Sequence, residues 1–265
     1  MDLQLTSKVA LVTGSTAGIG FAIGAGLAAE GAKVIISGRS EKRVGEAIAT
    51  IRQKHPQARL APCAGDLSDA EVAQRVTTDF PQVDILVNNL GVYDDIKPFE
   101  AISDHEWHEI IETNFMSGVR LSRHYLPEMK ARNWGRIIFI SSESAINIPV
   151  EMIHYGVTKT MQLALARGLA ETTAGTAVTV NSVLAGPTRS EGVEKFVDQI
   201  AHSRGIEQSH FEKEFFATVR PSSLLKRFAS TDEVASLVIF LASPLSSAIN
   251  GTALRADGGV VRSII

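Results

Sequence analysis

Short apolar runs rich in β-branched residues alternate with longer amphipathic stretches along almost the whole chain. The runs "KVALVT" (8–13), "AKVIIS" (32–37), "ARLAPC" (58–63), "DILVN" (84–88), "GRIIFIS" (135–141), "AVTVNSV" (177–183) and "GTALRA" (251–256) predict seven strands. They are nearly continuous in apolar residues, the pattern of strands covered on both faces. Stretches of helical length and period lie between them, at 18–30, 41–54, 69–79, 104–131, 153–173 and 231–242. Ser68-Asp69 and Ser230-Thr231-Asp232-Glu233 offer helix starts, with Ser68 better placed as an N-cap than Asp66. Strand–helix repetition of this kind implies right-handed crossovers, so the expected fold class is α/β with a doubly wound parallel sheet.

Nothing in the chain of 265 residues resembles a linker or a low-complexity tract, so residues 1–265 are expected to form a single domain. One segment breaks the rhythm. Between the sixth strand and the last helix, about 188–227, charges alternate with Phe196, Phe211, Phe215 and Phe216. A connection of that length suggests a lid, and a surface helical hairpin of no special role is the plainer alternative. With His202, Arg204, His210 and Lys213 among them, its phenylalanines would close over an apolar body with a polar or anionic end.

The composition, 45% hydrophobic and 21% charged with net charge −3, gives no basic surface for nucleic acid or an anionic membrane. The longest apolar run, 17–29, is too short to span a bilayer. The N-terminus "MDLQLTSKVALVTG" begins with an acid and runs straight into a strand, unlike a signal peptide. A lone cysteine, Cys63, excludes a disulfide within the chain and fits a reducing cytoplasm. His105, His108 and Glu109 make no credible zinc set with it, and no metal is expected.

Two constellations carry chemistry. In "VALVTGSTAGIG" a strand leads at once into Gly14, Gly18 and Gly20, which open a helix. Small residues there let backbone N–H groups and a helix N-terminus approach a pyrophosphate. In "SSESAINIPVEMIHYGVTKT" (141–160), Tyr155 and Lys159 stand four apart on one helix face, and Ser142 closes the fifth strand. His154 points about 100° away around the helix, so it is expected at a partner surface or the substrate rim. Glu143 should face away from Ser142, towards solvent or the lid.

Thr13–Gly20 resembles the TGxxxGxG turn of the short-chain dehydrogenase/reductase family. "NNLG" (88–91), Asn114, Ser142, the YxxxK of Tyr155 and Lys159, "NSVLAGPTRS" (181–190) and "ADGG" (256–259) resemble further family elements in the family's order. The pattern is most similar to 3-oxoacyl-(acyl-carrier-protein) reductases. Leu90, Ala185 and Ser190 stand where the family keeps alanine, proline and threonine, and Leu90 should crowd the cofactor side slightly.

The resemblance implies a Rossmann-type sheet of about seven strands with helices on both faces, and NAD(P)(H)-dependent interconversion of a carbonyl and a secondary alcohol. It assigns catalysis to Asn114, Ser142, Tyr155 and Lys159, with Asn114 anchoring a water that passes the proton on. The ammonium and an oxidised nicotinamide would draw the phenol's pKa towards neutrality. Cofactor contacts are expected from Gly14, Ser15, Thr16, Gly18, Ile19, Gly20, Arg39, Asp66, Leu67, Asn88, Gly91, Gly186, Thr188 and Ser190, besides Tyr155 and Lys159.

The second strand ends "SGRS", with Gly38 where an NAD-selective site keeps an acid, so NADP(H) is preferred over NAD(H). Arg39 would pair with the 2′-phosphate or stack on adenine, and Ser15, Ser37 and Ser40 would add donors. Asp66 would bond the adenine amino group or cap the following helix. A homotetramer or homodimer is expected through apolar residues such as Ile110, Phe115, Met161 and Leu165. The alternatives are an NAD-dependent alcohol or sugar dehydrogenase, or a cofactor-binding regulator or scaffold without turnover.

Overall fold

Seven parallel strands form the centre of the protein in the computed structural model, which describes residues 2–93, 97–194 and 207–264. They are β1 (Val9–Val12), β2 (Lys33–Gly38), β3 (Arg59–Ala64), β4 (Ile85–Asn88), β5 (Gly135–Ser142), β6 (Val178–Ala185) and β9 (Ala253–Ala256). Their order, β3-β2-β1-β4-β5-β6-β9, reverses direction at β1, and a crevice opens there beyond the carboxyl ends of β1 and β4.

Apolar residues on both faces of each strand explain the continuous runs. Val12, Ile36, Ile138 and Ile140 face the helices α1 (Gly18–Ala29), α2 (Glu41–Lys54) and α8 (Thr231–Ala242). Their neighbours Leu11, Ile35, Ile137 and Phe139 face α3 (Ala70–Asp79), α5 (Ser117–Ala131) and α6 (Ile153–Glu171). Each sheet face is therefore a separate apolar core. Helix α8 starts on a full capping box between Ser230 and Glu233. The cap of α3 is Asp69, which accepts from Glu71 N–H, and not Ser68. Ser68 is held instead by Asp66, whose Oδ1 accepts from its amide and its hydroxyl.

The expected helix over 104–131 is continuous but not uniform. It runs as α4 (Asp104–Ile111), a π-turn over Glu112–Met116, and α5. A π-turn inserts one residue into the helical repeat, and such turns recur at functional sites.

The lid is more structured than a bare connection. A two-residue ribbon pairs β7 (Thr188–Arg189) with β8 (Ala229–Ser230), and α7 (Gln208–Thr218) lies between them in sequence. Phe211, Phe216 and Phe228 bury one another, with Phe215 stacked on Phe228. These rings fill the lid's own small core, which corrects the expectation that they would cover a substrate. Phe196, His202 and Arg204 lie outside the described residues. Ile110 is likewise buried within the chain and so unavailable to a partner subunit, while Phe115, Met161 and Leu165 are half-buried. Among the described residues no helix is long and apolar enough to cross a membrane.

Candidate active site

The glycine-rich turn leaves β1 with Gly14 and Gly18 in the left-handed region, at φ +62° and +58°, which side chains disfavour. It is pinned from β4. Thr13 Oγ1 accepts from the amides of Asn89 and Leu90 at 2.9 and 2.8 Å, and Asn89 Nδ2 donates to the carbonyls of Thr13 and Gly14. The Asn89 amide lies so close to Gly20 that an added Cβ there would come within 2.4 Å of it. Asn89 therefore shapes the turn. It was missed in the sequence because its neighbour Asn88 carries the same letter. The Asn88 side chain points elsewhere, donating to Ser122 Oγ on α5.

Ser15 corrects a second expectation. Its amide donates to Ser37 O, and its hydroxyl donates to Val12 O and accepts from Ser37 N–H. Buried and fully engaged, it binds β1 to β2 and has no donor left for a cofactor. Ser37 is also buried and hydrogen-bonds Cys63, and Ser40 caps α2 by accepting from Arg43 N–H. Burial pushes the Cys63 thiol up to about 11, so it packs as an inert group.

Around this turn the remaining residues converge. Gly38 touches Thr16, whose methyl carbon would lie 2.4 Å from an added Cβ. Ser190 approaches Gly18, Thr188 Oγ1 donates to Gly186 O, and Gly186 packs on the Asp257 backbone. Ile19 and Leu90 pack against the two cores, and Leu90 also lies against Gly14 of the glycine turn. Arg39 and Asp66 are exposed and Leu67 is buried. Arg43 pairs with Glu191 at 3.1 Å beside Thr16 and Lys42. A cradle of open backbone and small residues flanked by cations fits a dinucleotide phosphate.

At the other end, the carboxyl edge of β5 meets the first turns of α6. The Ser142 hydroxyl adjoins the Tyr155 phenol and lowers its pKa, and Lys159 Nζ lies 5.6 Å from the Tyr155 ring centroid. Lys159 is buried and donates to Ile140 O at 3.0 Å. An added Cβ on Gly91 would come within 3.0 Å of that ammonium, so any side chain there would crowd it. Asn114, in the π-turn, closes the group. Its Oδ1 accepts from Val92 N–H at 2.7 Å, and its Nδ2 donates to Val92 O and Thr158 Oγ1.

The dinucleotide cradle and the serine–tyrosine–lysine cluster stand at the same edge of the sheet. A family profile described as enoyl-(acyl-carrier-protein) reductase matches residues 14–261. The chain belongs to the short-chain dehydrogenase/reductase family. YvaG, an uncharacterized oxidoreductase of Bacillus subtilis, is 49% identical over 264 residues, with 100% of both chains covered. The 3-oxoacyl-(acyl-carrier-protein) reductase of Aquifex aeolicus is 32% identical, covering 98% of this chain and 100% of that protein. The structure of L-sorbose reductase from Gluconobacter frateurii with NADPH and L-sorbose matches at a TM-score of 0.92 and 30% identity, with 100% of both chains covered. This short-chain dehydrogenase/reductase is an NAD(P)(H)-dependent oxidoreductase that interconverts a carbonyl and an alcohol.

The expected draw on the phenol involves two cations, and the oxidoreductase's chain supplies one of them, Lys159. Burial raises the Tyr155 phenol to about 12; Ser142 pulls the other way, and the Glu143 charge adds to the rise. Burial lowers the Lys159 ammonium to about 8. The chain alone thus holds the phenol protonated, and Lys159 does not by itself draw it towards neutrality.

Three neighbours bear on the cluster: His154 departs from its expected place, Glu143 takes the lid-facing one of its two expected directions, and Tyr93 carried no sequence signal. His154 is buried edge-on against Trp107 of α4, with ring centroids 5.9 Å apart, so it is neither at the rim nor at a partner surface. Glu143 is not solvated. It is buried at 3% exposure and its Oε1 accepts from Arg220 Nε, at the end of the lid, at 2.7 Å. Tyr93, half-exposed after "NNLG", reaches towards Gly192, and its phenol is close enough to raise that of Tyr155. No spacing rule pointed to it.

Burial is the largest influence on Glu143 and raises its pKa; the Arg220 charge opposes that rise. A carboxyl raised in the folded state contributes full stability below its unfolded pKa and loses it as pH rises through the folded value. Arg220→Met removes the opposing charge. Urea unfolding is expected to show a loss of about 3 kcal/mol at pH 8, shrinking by pH 5 as the carboxyl takes up a proton. An equal loss at both pH values would contradict a buried ion pair.

Proposed function

We propose that Tyr155 is the general acid/base of this oxidoreductase, that Ser142 holds the substrate oxygen, and that Lys159 and Asn114 set the charge and shape around them. The observation that carries this reading is the convergence of Ser142 and Tyr155, the serine lowering the phenol's pKa, with a buried ammonium 5.6 Å from the ring. The nicotinamide supplies the hydride chemistry when bound. In the reducing direction Tyr155, held protonated by burial, gives its proton to the substrate oxygen. Ser142 donates a hydrogen bond to the same oxygen and stabilises the charge developing on it. The Lys159 cation favours the phenolate left behind. In the oxidising direction the phenolate takes the alcohol proton.

NADP(H) is the preferred cofactor. Gly38 has no room for a side chain against Thr16, so the acid that would bond a ribose 2′-hydroxyl is absent. The exposed Arg39 stands next to it, with Lys42 and Arg43 on the first turn of α2. Those cations suit a 2′-phosphate, and the L-sorbose reductase was solved with NADPH. The substrate is a small carbonyl compound or secondary alcohol. The protein works in the cytoplasm as a homotetramer or homodimer, with Phe115 and Met161 among the half-buried apolar residues available for assembly.

Two variants test these roles with NADPH, NADH and a panel of ketones, ketoses and 3-oxoacyl thioesters. Tyr155→Phe is expected to lower kcat by at least about 100-fold while still binding NADPH, measured by cofactor fluorescence. Retention of more than a few per cent of activity contradicts the role of the phenol. Arg39→Ala is expected to lower kcat/KM with NADPH about tenfold and to leave NADH nearly unaffected. An unchanged ratio between the two cofactors sinks the phosphate clamp.

A further inference from the structure

Three cations stand where β2 runs into α2, and they differ in what holds them. Arg39 is exposed and meets no carboxylate among the described residues. Lys42 lies 3.9 Å from Glu46, an i,i+4 partner on its own helix. Arg43 is paired across 148 residues of sequence: its Nη2 donates to Glu191 Oε2 at 3.1 Å. Glu191 opens the lid directly after Ser190, whose Cβ lies 3.4 Å from where a Cβ on Gly18 would be. With Thr16, Ala17 and Gly18, the pair lines one open cavity of about 660 Å³ beside the glycine turn. A carboxylate thus stands at the edge of an anion cradle, where it repels what the cradle suits. Both side chains are about half exposed, at 52% and 47%, so solvent weakens the pair to a few-fold effect at most. A 2′-phosphate carries roughly two negative charges and can take two N–H groups of one guanidinium, so it displaces a single carboxylate.

We propose that Glu191 is an internal competitor for Arg43: it yields the guanidinium to the 2′-phosphate of NADP(H) and reclaims it as the cofactor leaves, which keeps the cofactor exchangeable. This rests on the NADP(H) preference given above. Arg43 changes partners by turning on its own flexible stem, since both ends of the pair reach solvent. Glu191 then stands as an unneutralised charge beside the phosphate, and that repulsion limits how long the cofactor is held. NAD(H) carries no 2′-phosphate, so the pair stays closed and Glu191 has no influence on its affinity. Arg39, with no carboxylate to give up, is the part of the clamp that Glu191 does not oppose. Release of product limits turnover in many enzymes, and a built-in competitor speeds that step.

Glu191→Gln keeps the size of the side chain and removes its charge. Cofactor fluorescence is expected to show NADPH bound about threefold more tightly, with NADH affinity unchanged. Stopped-flow displacement is expected to show NADPH leaving more slowly by the same factor. The fragments 2′,5′-ADP and 5′-ADP, compared by calorimetry, are expected to divide in the same way. In an Arg43→Ala background the substitution is expected to have no effect on NADPH, because the competition has lost its object. Unchanged or weaker NADPH binding in Glu191→Gln would overturn the proposal, since a clasp over the cofactor would loosen when cut. So would an equal gain for NADH, which marks general repulsion of the pyrophosphate, or a gain that persists without Arg43. Wild type that binds NADH as tightly as NADPH would instead bring down the NADP(H) preference, and this inference with it; that result is read without any variant.

Discussion

A cation buried at the edge of the sheet organises this protein. Lys159 is 4% exposed, and removal from water lowers its pKa to about 8. Its ammonium must find acceptors inside the fold, and the Ile140 carbonyl near the end of β5 is one. That bond draws α6 onto β5, and Ser141 Oγ, donating to Lys159 O at 2.9 Å, fastens the same contact from the other side. Tyr155 is carried one turn away, and Ser142, next along the strand, meets it. Gly91 admits the ammonium from β4, and the π-turn brings Asn114 across. The geometry of the cluster is thus a consequence of solvating one charge without water.

The nucleotide end is built on the opposite economy, with little side chain and much backbone. Thr13, Ser15 and Asn89 spend their polar groups on β1, β2, β4 and the glycine turn. The turn opens the N-terminus of α1, where an anion is favoured. Both ends lie at the carboxyl edge of one sheet, so the parallel β1–β4–β5 register sets the separation between them. The Glu143–Arg220 pair then joins the neighbour of Ser142 to the end of the lid. The Glu143 charge also adds to the rise of the Tyr155 phenol.

Much of this was legible because long periodic patterns report burial directly. All seven sheet strands and the limits of α2 (Glu41–Lys54) and α8 (Thr231–Ala242) follow from apolar runs and caps. The glycine spacing and the tyrosine–lysine interval located both halves of the site. What escaped had no periodic signal. The β7–β8 ribbon has two residues in each strand, too few for a pattern. A π-turn keeps helical composition while changing only the register. His154 and Glu143 are polar letters that bury because of partners distant in sequence, Trp107 and Arg220. Ser15 and Asn89 read as ligand contacts or as nothing, since hydrogen bonds across the sheet decide their roles. The lid phenylalanines matched a substrate cover as well as they matched a small core of their own.

The dehydrated lysine is open to direct observation. Side-chain NMR of protein carrying 13C-labelled lysine, with the Lys159 signal assigned by its loss in Lys159→Met, follows the Cε shift across pH. The account predicts a midpoint of about 8. A midpoint near ~10.4, that of a solvated lysine, would contradict it.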